Sequence, residues 1–252
     1  MSNPFDIAGR RILVTGASSG IGRETARLLA QLGARVCITG RHAGRLQESL
    51  ASLQGEGHSA SPFDLGNVDA IPAWIKALAA KGNSFDGLAH CAGINDVRPL
   101  RSSSWAEVEA ILHTNVGACF GMARGFRQRG VHASGASLVF MSSVYSLTGQ
   151  AGVSAYSASK GAVNSLTRCL AVELAPDTIR VNAVAAGYVD TPMTRKTSGV
   201  LTDEQRAAIE KQHILGIAQP GDVTASIAFL LSPAARWITG SVLTVDGGYT
   251  AR

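Results

Sequence analysis

A glycine-rich turn between an apolar run and a helical pattern constrains this chain more than any other feature. Arg11-Ile-Leu-Val-Thr15 has the length and composition of a buried strand. It runs into Gly16-Ala17-Ser18-Ser19-Gly20-Ile21-Gly22, and a helical repeat follows from Arg23 to Leu32, with Gly33 as its stop signal. Such a join gathers backbone N–H groups and the positive end of a helix dipole at one point, and its glycines let an anion approach closely. The expected ligand is a phosphate, cradled by Gly16, Ser18, Ser19, Gly20, Ile21 and Gly22. The spacing is G-x-x-x-G-x-G rather than the commoner G-x-G-x-x-G.

The same alternation continues to the end. Further strands are expected at 35–39, 59–63, 85–90, 136–141, 178–184 and 241–245, with helices at 43–53, 71–80, 104–130 and about 155–175. Strands alternating with helices imply an α/β fold, a doubly wound sheet of about seven parallel strands with helices on both faces. No Pro/Ser-rich linker, repeat or low-complexity tract interrupts the 252 residues, so a single domain is expected over 1–252. Ligands of such sheets bind at the carboxyl ends of the strands. Gly16, Arg41, Asp64, Gly93, Ser143 and Gly187 all fall at expected strand ends.

The end of the second strand bears on the ligand. An NAD site usually carries an acid there for the ribose 2′-hydroxyl, and an NADP site a base for the 2′-phosphate. Here Gly40-Arg41-His42 offers no acid, and a guanidinium binds phosphate bidentately. Arg41 therefore favours NADP(H) over NAD(H), although a solvated loop arginine is also common. Asp64 suits an adenine amino group and suits equally a cap for a helix starting near Asn67.

Composition excludes several classes. With 46% hydrophobic residues, 28 glycines and 16% charged residues, the chain suits a well-buried protein, not a disordered or fibrous one. The net charge of +5 suits an anionic ligand, but no basic patch interleaved with aromatics points to nucleic acid. The first eleven residues hold no apolar run, and none elsewhere nears the roughly 20 residues of a membrane span. Cys37, Cys91, Cys119 and Cys169 lack metal-ligand spacing, so no metal site is expected, and they read as buried thiols of a reducing compartment. A soluble, cytoplasmic protein is the expectation.

Tyr156 and Lys160 lie four residues apart at the start of the apolar-periodic segment that runs to Ala175, and so share a helix face. A free phenol has a pKa of about 10, and a neighbouring ammonium pulls it toward the range useful for proton transfer. Alone, the pair fits a solvated helix face as well as a catalytic one. Asn115 stands inside a helical stretch where asparagine is mildly unfavourable.

Together these residues resemble the short-chain dehydrogenase/reductase family, over essentially the full length. Thr15-Gly-Ala-Ser-Ser-Gly-Ile-Gly22 is similar to its cofactor turn, Ile179-Arg-Val-Asn182 and Thr244-Val-Asp-Gly-Gly248 to its later motifs. The resemblance implies a Rossmann-type fold and a catalytic tetrad of Asn115, Ser143, Tyr156 and Lys160. Tyr156 would exchange a proton with the substrate oxygen and Ser143 would hydrogen-bond it. Lys160 would tune the tyrosine and bind the nicotinamide ribose; the Asn115 backbone would hold a relay water. Asp64 and Leu65, Cys91, Ala92 and Gly93, and Gly187, Val189 and Thr191 would also contact the cofactor. A homotetramer built through the two long helices containing Asn115 and Tyr156 is implied as well.

Three positions depart from the family pattern. His90-Cys91-Ala92-Gly93 stands for Asn-Asn-Ala-Gly, and His90 is expected to be a substitute hydrogen-bonding residue and not a catalyst. Ala186-Gly187 stands for Pro-Gly, and Ser19 occupies a place that is basic in many NADP-using members. The substrate, a small carbonyl or alcohol compound, should meet Ser143, Tyr145, Gln150, Val153, Tyr156 and Tyr188. Residues 188–219 form the expected lid, with Met193, Val200, Leu201, Ile209, Ile214 and Leu215 either closing over the substrate or packing the lid onto the body. The β-ketoacyl-thioester reductases are a broad comparison, yet the glutamine they carry three residues before the tyrosine is Val153 here. An NAD-dependent sugar, polyol or alcohol dehydrogenase is the alternative, and a non-catalytic regulator is disfavoured by the intact tetrad.

Overall fold

A computed structural model describes residues 3–198 and 202–251. Seven parallel strands form one sheet in the order β3-β2-β1-β4-β5-β6-β7. They are β1 (Arg11–Thr15), β2 (Arg35–Gly40), β3 (Ser59–Pro62), β4 (Phe85–His90), β5 (His132–Ser143), β6 (Arg180–Ala186) and β7 (Val242–Val245). This is the expected doubly wound, Rossmann-type α/β arrangement.

Strand alternation decides the two faces. Leu13, Leu88 and Leu138 enter one buried cluster with α3 (Ile71–Gly82), α5 (Ala118–Phe126) and α6 (Ser154–Glu173). Ile12, Val14, Ala89 and Val139 point the other way, toward α1 (Gly20–Gln31) and α9 (Pro220–Leu231). Every residue of β1 is buried, as a strand covered on both faces requires. Each fully buried leucine or isoleucine contributes about 1.5–3 kcal/mol from its removal from water. The shorter helices are α2 (Ala43–Ala51), α4 (Trp105–Leu112), α7 (Pro192–Ser198) and α8 (Asp203–Gln212).

Two expected boundaries need correction. The segment 104–130 is not one helix: a π-turn at His113–Gly117 separates α4 from α5, and Asn115 sits in it. A Ser104/Glu107 capping box starts α4, which the sequence pattern did contain. β5 starts earlier than 136, because His132 pairs with Phe85 before a register shift that bypasses the following residues. It also runs through Ser142 and Ser143, so Ser143 is the last residue of a strand and shares its rigidity.

The sheet order reverses between β1 and β4, opening a crevice at their carboxyl ends. The glycine turn after β1 and the loop after β4 form its two banks. In the lid, Ile214, Leu215 and Met193 are exposed, and the Ile214 side chain lies over Gly248 of the C-terminal segment. Val200 and Leu201 lie outside the described residues.

Candidate active site

The crevice holds a cavity of about 520 Å³. On one bank, Gly16 adopts φ +65°, and a Cβ there would lie 2.8 Å from the Ala92 nitrogen across the crevice. Gly22 meets the Gly16 carbonyl so closely that a Cβ would lie 2.5 Å from its oxygen. The turn can therefore form only with glycine at both places. Ser19, the extended residue before α1, makes no side-chain cap, and no acid stands in the first helical turn. The N–H groups at that end face the cavity uncapped, the arrangement an anion needs.

The opposite bank is tied to this one by side chains. The Ala92 N–H donates to Thr15 Oγ1 at 3.1 Å, and Thr15 Oγ1 lies 2.8 Å from His90 Nδ1. His90 is buried and its pKa is pushed down to about 3, by burial first and then by the charge of Lys160. It is a neutral structural link and lines no part of the cavity. Cys91 borders the cavity as a protonated thiol, its pKa raised to about 12 by burial.

The chemistry-bearing side chains come from rigid elements. Ser143 ends β5 and accepts the Tyr145 N–H at 3.3 Å, which leaves its own hydroxyl proton to donate. Tyr156 and Lys160 lie on the first turns of α6, with the Lys160 Nζ 5.6 Å from the Tyr156 ring centre. Lys160 is buried and donates to the Met141 carbonyl at 2.7 Å, so β5 fixes where its charge sits. Asn115 Oδ1 accepts the Ile94 N–H at 2.8 Å, and its Nδ2 donates to the Ile94 carbonyl and to Ser159 Oγ. The asparagine thus joins the loop after β4 to α6, and its own carbonyl in the π-turn lies 3.1 Å from the Cys119 sulfur.

Of the residues expected to contact a cofactor, all but Asn115 line the cavity. Asp64 does so while its Oδ1 accepts the Gly66 N–H at 3.0 Å, closing a local turn and not capping a helix at Asn67. Of the expected substrate residues, Ser143 and Tyr156 reach the cavity; Tyr145, Gln150, Val153 and Tyr188 do not. Gln150 is exposed and Val153 is buried at the start of α6. Sequence reasoning missed His42, Arg45 and Lys196, which also border the cavity. Two bases so soon after Arg41 were the available signal. Among the described residues no cluster of His, Cys, Asp or Glu could hold a metal, and no helix is long and apolar enough to cross a membrane.

A glycine cradle at a topological switch point, with a Ser-Tyr-Lys wall beside it, defines a nicotinamide-dependent oxidoreductase of the CH–OH/C=O pair. The chain belongs to the short-chain dehydrogenase/reductase family, whose model described as "Enoyl-(Acyl carrier protein) reductase" matches residues 16–250. It is 41% identical over 250 residues to a cis-4-hydroxycyclohexanecarboxylate dehydrogenase from Sinomonas cyclohexanicum, covering 97% of this chain and 98% of that one. It is 36% identical over 244 residues to a cyclopentanol dehydrogenase from a Comamonas species, covering 95% of this chain and 96% of the other. A crystal structure of a putative 2-deoxy-D-gluconate 3-dehydrogenase from Agrobacterium tumefaciens with bound NADP superposes with a TM-score of 0.88 at 32% identity, covering 100% of both chains.

Proposed function

We propose that this chain, folded as one domain, interconverts a ketone and a secondary alcohol with NADP(H) as the favoured cofactor. The observation that carries the proposal is that Ser143, Tyr156 and Lys160 line the same cavity as the glycine cradle. When bound, the dinucleotide supplies or accepts the hydride. Tyr156 gives its phenolic proton to the carbonyl oxygen in reduction and takes the alcohol proton in oxidation. Ser143 turns its free O–H to the same oxygen and holds it in line. Lys160, pinned by Met141 with its charge beside the Tyr156 ring, would hold the nicotinamide ribose. Asn115 keeps both banks in place, and its carbonyl in the widened turn accepts the water that links Lys160 to solvent.

The preference for NADP(H) is supported by Arg41, His42 and Arg45 on one stretch of the cavity wall. The bound NADP of the Agrobacterium relative agrees with it. Ser19, which is not basic, is the feature that would suit an NAD-dependent enzyme. The segment 188–219 serves as a lid, with Lys196 at the cavity edge. Assembly as a homotetramer is supported by apolar side chains that α4, α5 and α6 leave in water, Trp105 (70% exposed), Phe120 (50%) and Val172 (78%).

Replacing Tyr156 with phenylalanine tests the mechanism. Turnover is expected to fall about 1,000-fold, the scale of a lost general acid, while the NADPH dissociation constant stays within a factor of about two. Unchanged turnover would rule out the assigned proton donor.

A further inference from the structure

Helix α6 carries polar side chains at four-residue intervals, Tyr156, Lys160 and Asn164, so all three fall on one face. The first two line the cofactor cavity, and Asn164 does not. Asn164 is buried in a helix interior, where asparagine is unfavourable, and its Oδ1 has no partner among the described residues. A leucine of similar size would fill the place without leaving an acceptor unsatisfied. What the amide contributes is its Nδ2, which donates to Ser146 Oγ at 2.7 Å.

Ser146 closes the single turn, Val144–Ser146, that follows β5. Its Oγ meets three groups: the Ser143 carbonyl, the Ser142 hydroxyl at 3.1 Å and the Asn164 amide. A carbonyl only accepts, so the Ser146 proton goes to Ser143 and the Ser146 oxygen accepts from Asn164 and Ser142. The relay thus runs one way, from Asn164 through Ser146 to the Ser143 carbonyl. Holding that carbonyl holds the planar peptide after Ser143 and the course of the turn. The Tyr145 N–H, two residues on, then meets Ser143 Oγ at 3.3 Å. The two preceding residues are tied to the same helix. Lys160 Nζ donates to the Met141 carbonyl at 2.7 Å, and Ser142 Oγ lies 3.3 Å from the Lys160 carbonyl. Met141, Ser142 and Ser143 are held to α6 one after another, and Asn164 supplies the tie for Ser143.

We propose that Asn164 is a positioning residue of the reaction. Through Ser146 it holds the Ser143 main chain against α6 and so sets the Ser143 hydroxyl relative to the Tyr156 phenol. This rests on the roles assigned above to Ser143 and Tyr156, and adds a third helical turn to the working face of α6. Asn164 touches neither substrate nor cofactor; its effect passes entirely through Ser143.

The test is Asn164→Leu, made alone and in the Ser143→Ala background. Turnover is measured on cyclohexanol, 2-hexanol or D-gluconate with NADP+ and NAD+, whichever pair the unaltered enzyme uses fastest. Asn164→Leu should lower kcat roughly tenfold, with KM and the NADPH dissociation constant within about twofold. Ser143→Ala should lower kcat about 100-fold. Adding Asn164→Leu to it should cost no more than about twofold further, because the relay then ends at a missing hydroxyl. A crystal structure of Asn164→Leu should show Ser143 Oγ displaced by roughly 0.5 Å or more, and decides alone where none of the three alcohols is oxidised. If Asn164→Leu does not fold, Ser146→Ala cuts the same relay at its middle and carries the same expectations. The proposal falls if kcat or the Ser143 position is unchanged. It falls equally if the loss is as large in Ser143→Ala as in the unaltered enzyme, the mark of a loosened helix. Full activity in Ser143→Ala sinks the assigned role of Ser143 itself, whereas a disabled Ser143→Ala beside an unaffected Asn164→Leu sinks only the positioning residue.

Discussion

The two halves of the crevice are built from different materials. The half that cradles phosphate is made of main chain: Gly16 and Gly22 fit because a Cβ would strike backbone atoms at 2.8 and 2.5 Å. The half around Tyr156 is made of side chains, Ser143 from the end of β5 and Tyr156 and Lys160 from α6. A backbone-built site tolerates almost no substitution, so it leaves a legible motif. A side-chain site drawn from distant segments lets related chains take different substrates.

Breaking the backbone half should have the largest effect. In Gly22→Ala the new methyl meets the Gly16 carbonyl carbon at 2.7 Å and its oxygen at 2.5 Å, and neither is a flexible side-chain end. The turn must open, and the N–H groups at the start of α1 lose their aim. Fluorescence titration is expected to show NADPH affinity reduced about 100-fold or more, the loss of two or more charge-assisted hydrogen bonds. An affinity within threefold of the unaltered protein would mean that the cradle does not hold the phosphates.

That contrast also explains what the sequence disclosed. The seven strands, their parallel direction and the glycine turn were legible because periodicity and glycine spacing are local signals. Tyr156, Lys160 and Ser143 were legible because their spacing is fixed by one helix and one strand end. The π-turn at Asn115 was not, since it arises from side-chain bonds to Ile94 and Ser159 that lie 21 and 44 residues away. The ring contacts of Tyr249 were not legible for the same reason: its partners Tyr145 and His213 are neighbours only after folding. Gln150 was expected at the substrate but is exposed, because the turn before α6 carries it outward.

A smaller effect should separate the cradle from its specificity. Arg41→Ala removes a cation from the wall it shares with His42 and Arg45 and leaves the glycine turn alone. NADPH affinity should fall about 30-fold, as a lost charge-assisted pair implies, with NADH affinity nearly unchanged. Equal losses for both cofactors would place Arg41 at the shared diphosphate and remove it from the 2′-phosphate.

The smallest effect concerns the one place where the backbone half depends on a titratable side chain. His90 reaches the crevice through Thr15, whose Oγ1 takes the Ala92 N–H and pairs with His90 Nδ1. The other ring nitrogen, Nε2, is a buried atom without a partner among the described residues. Burial and the Lys160 charge lower its pKa from 6.5 to about 3, so the folded protein refuses a proton that the unfolded chain accepts. Between those two values the unfolded state binds more protons, and stability rises with pH. The stabilisation by neutral His90 is thus complete above 6.5 and declines as the pH falls toward about 3, by about 1.4 kcal/mol per pH unit. Urea unfolding at neutral and mildly acid pH should show His90→Asn with a slope shallower by nearly one proton, since asparagine has nothing to titrate. Equal slopes in the two proteins would mean that His90 is protonated in the native state, with Thr15 oriented some other way.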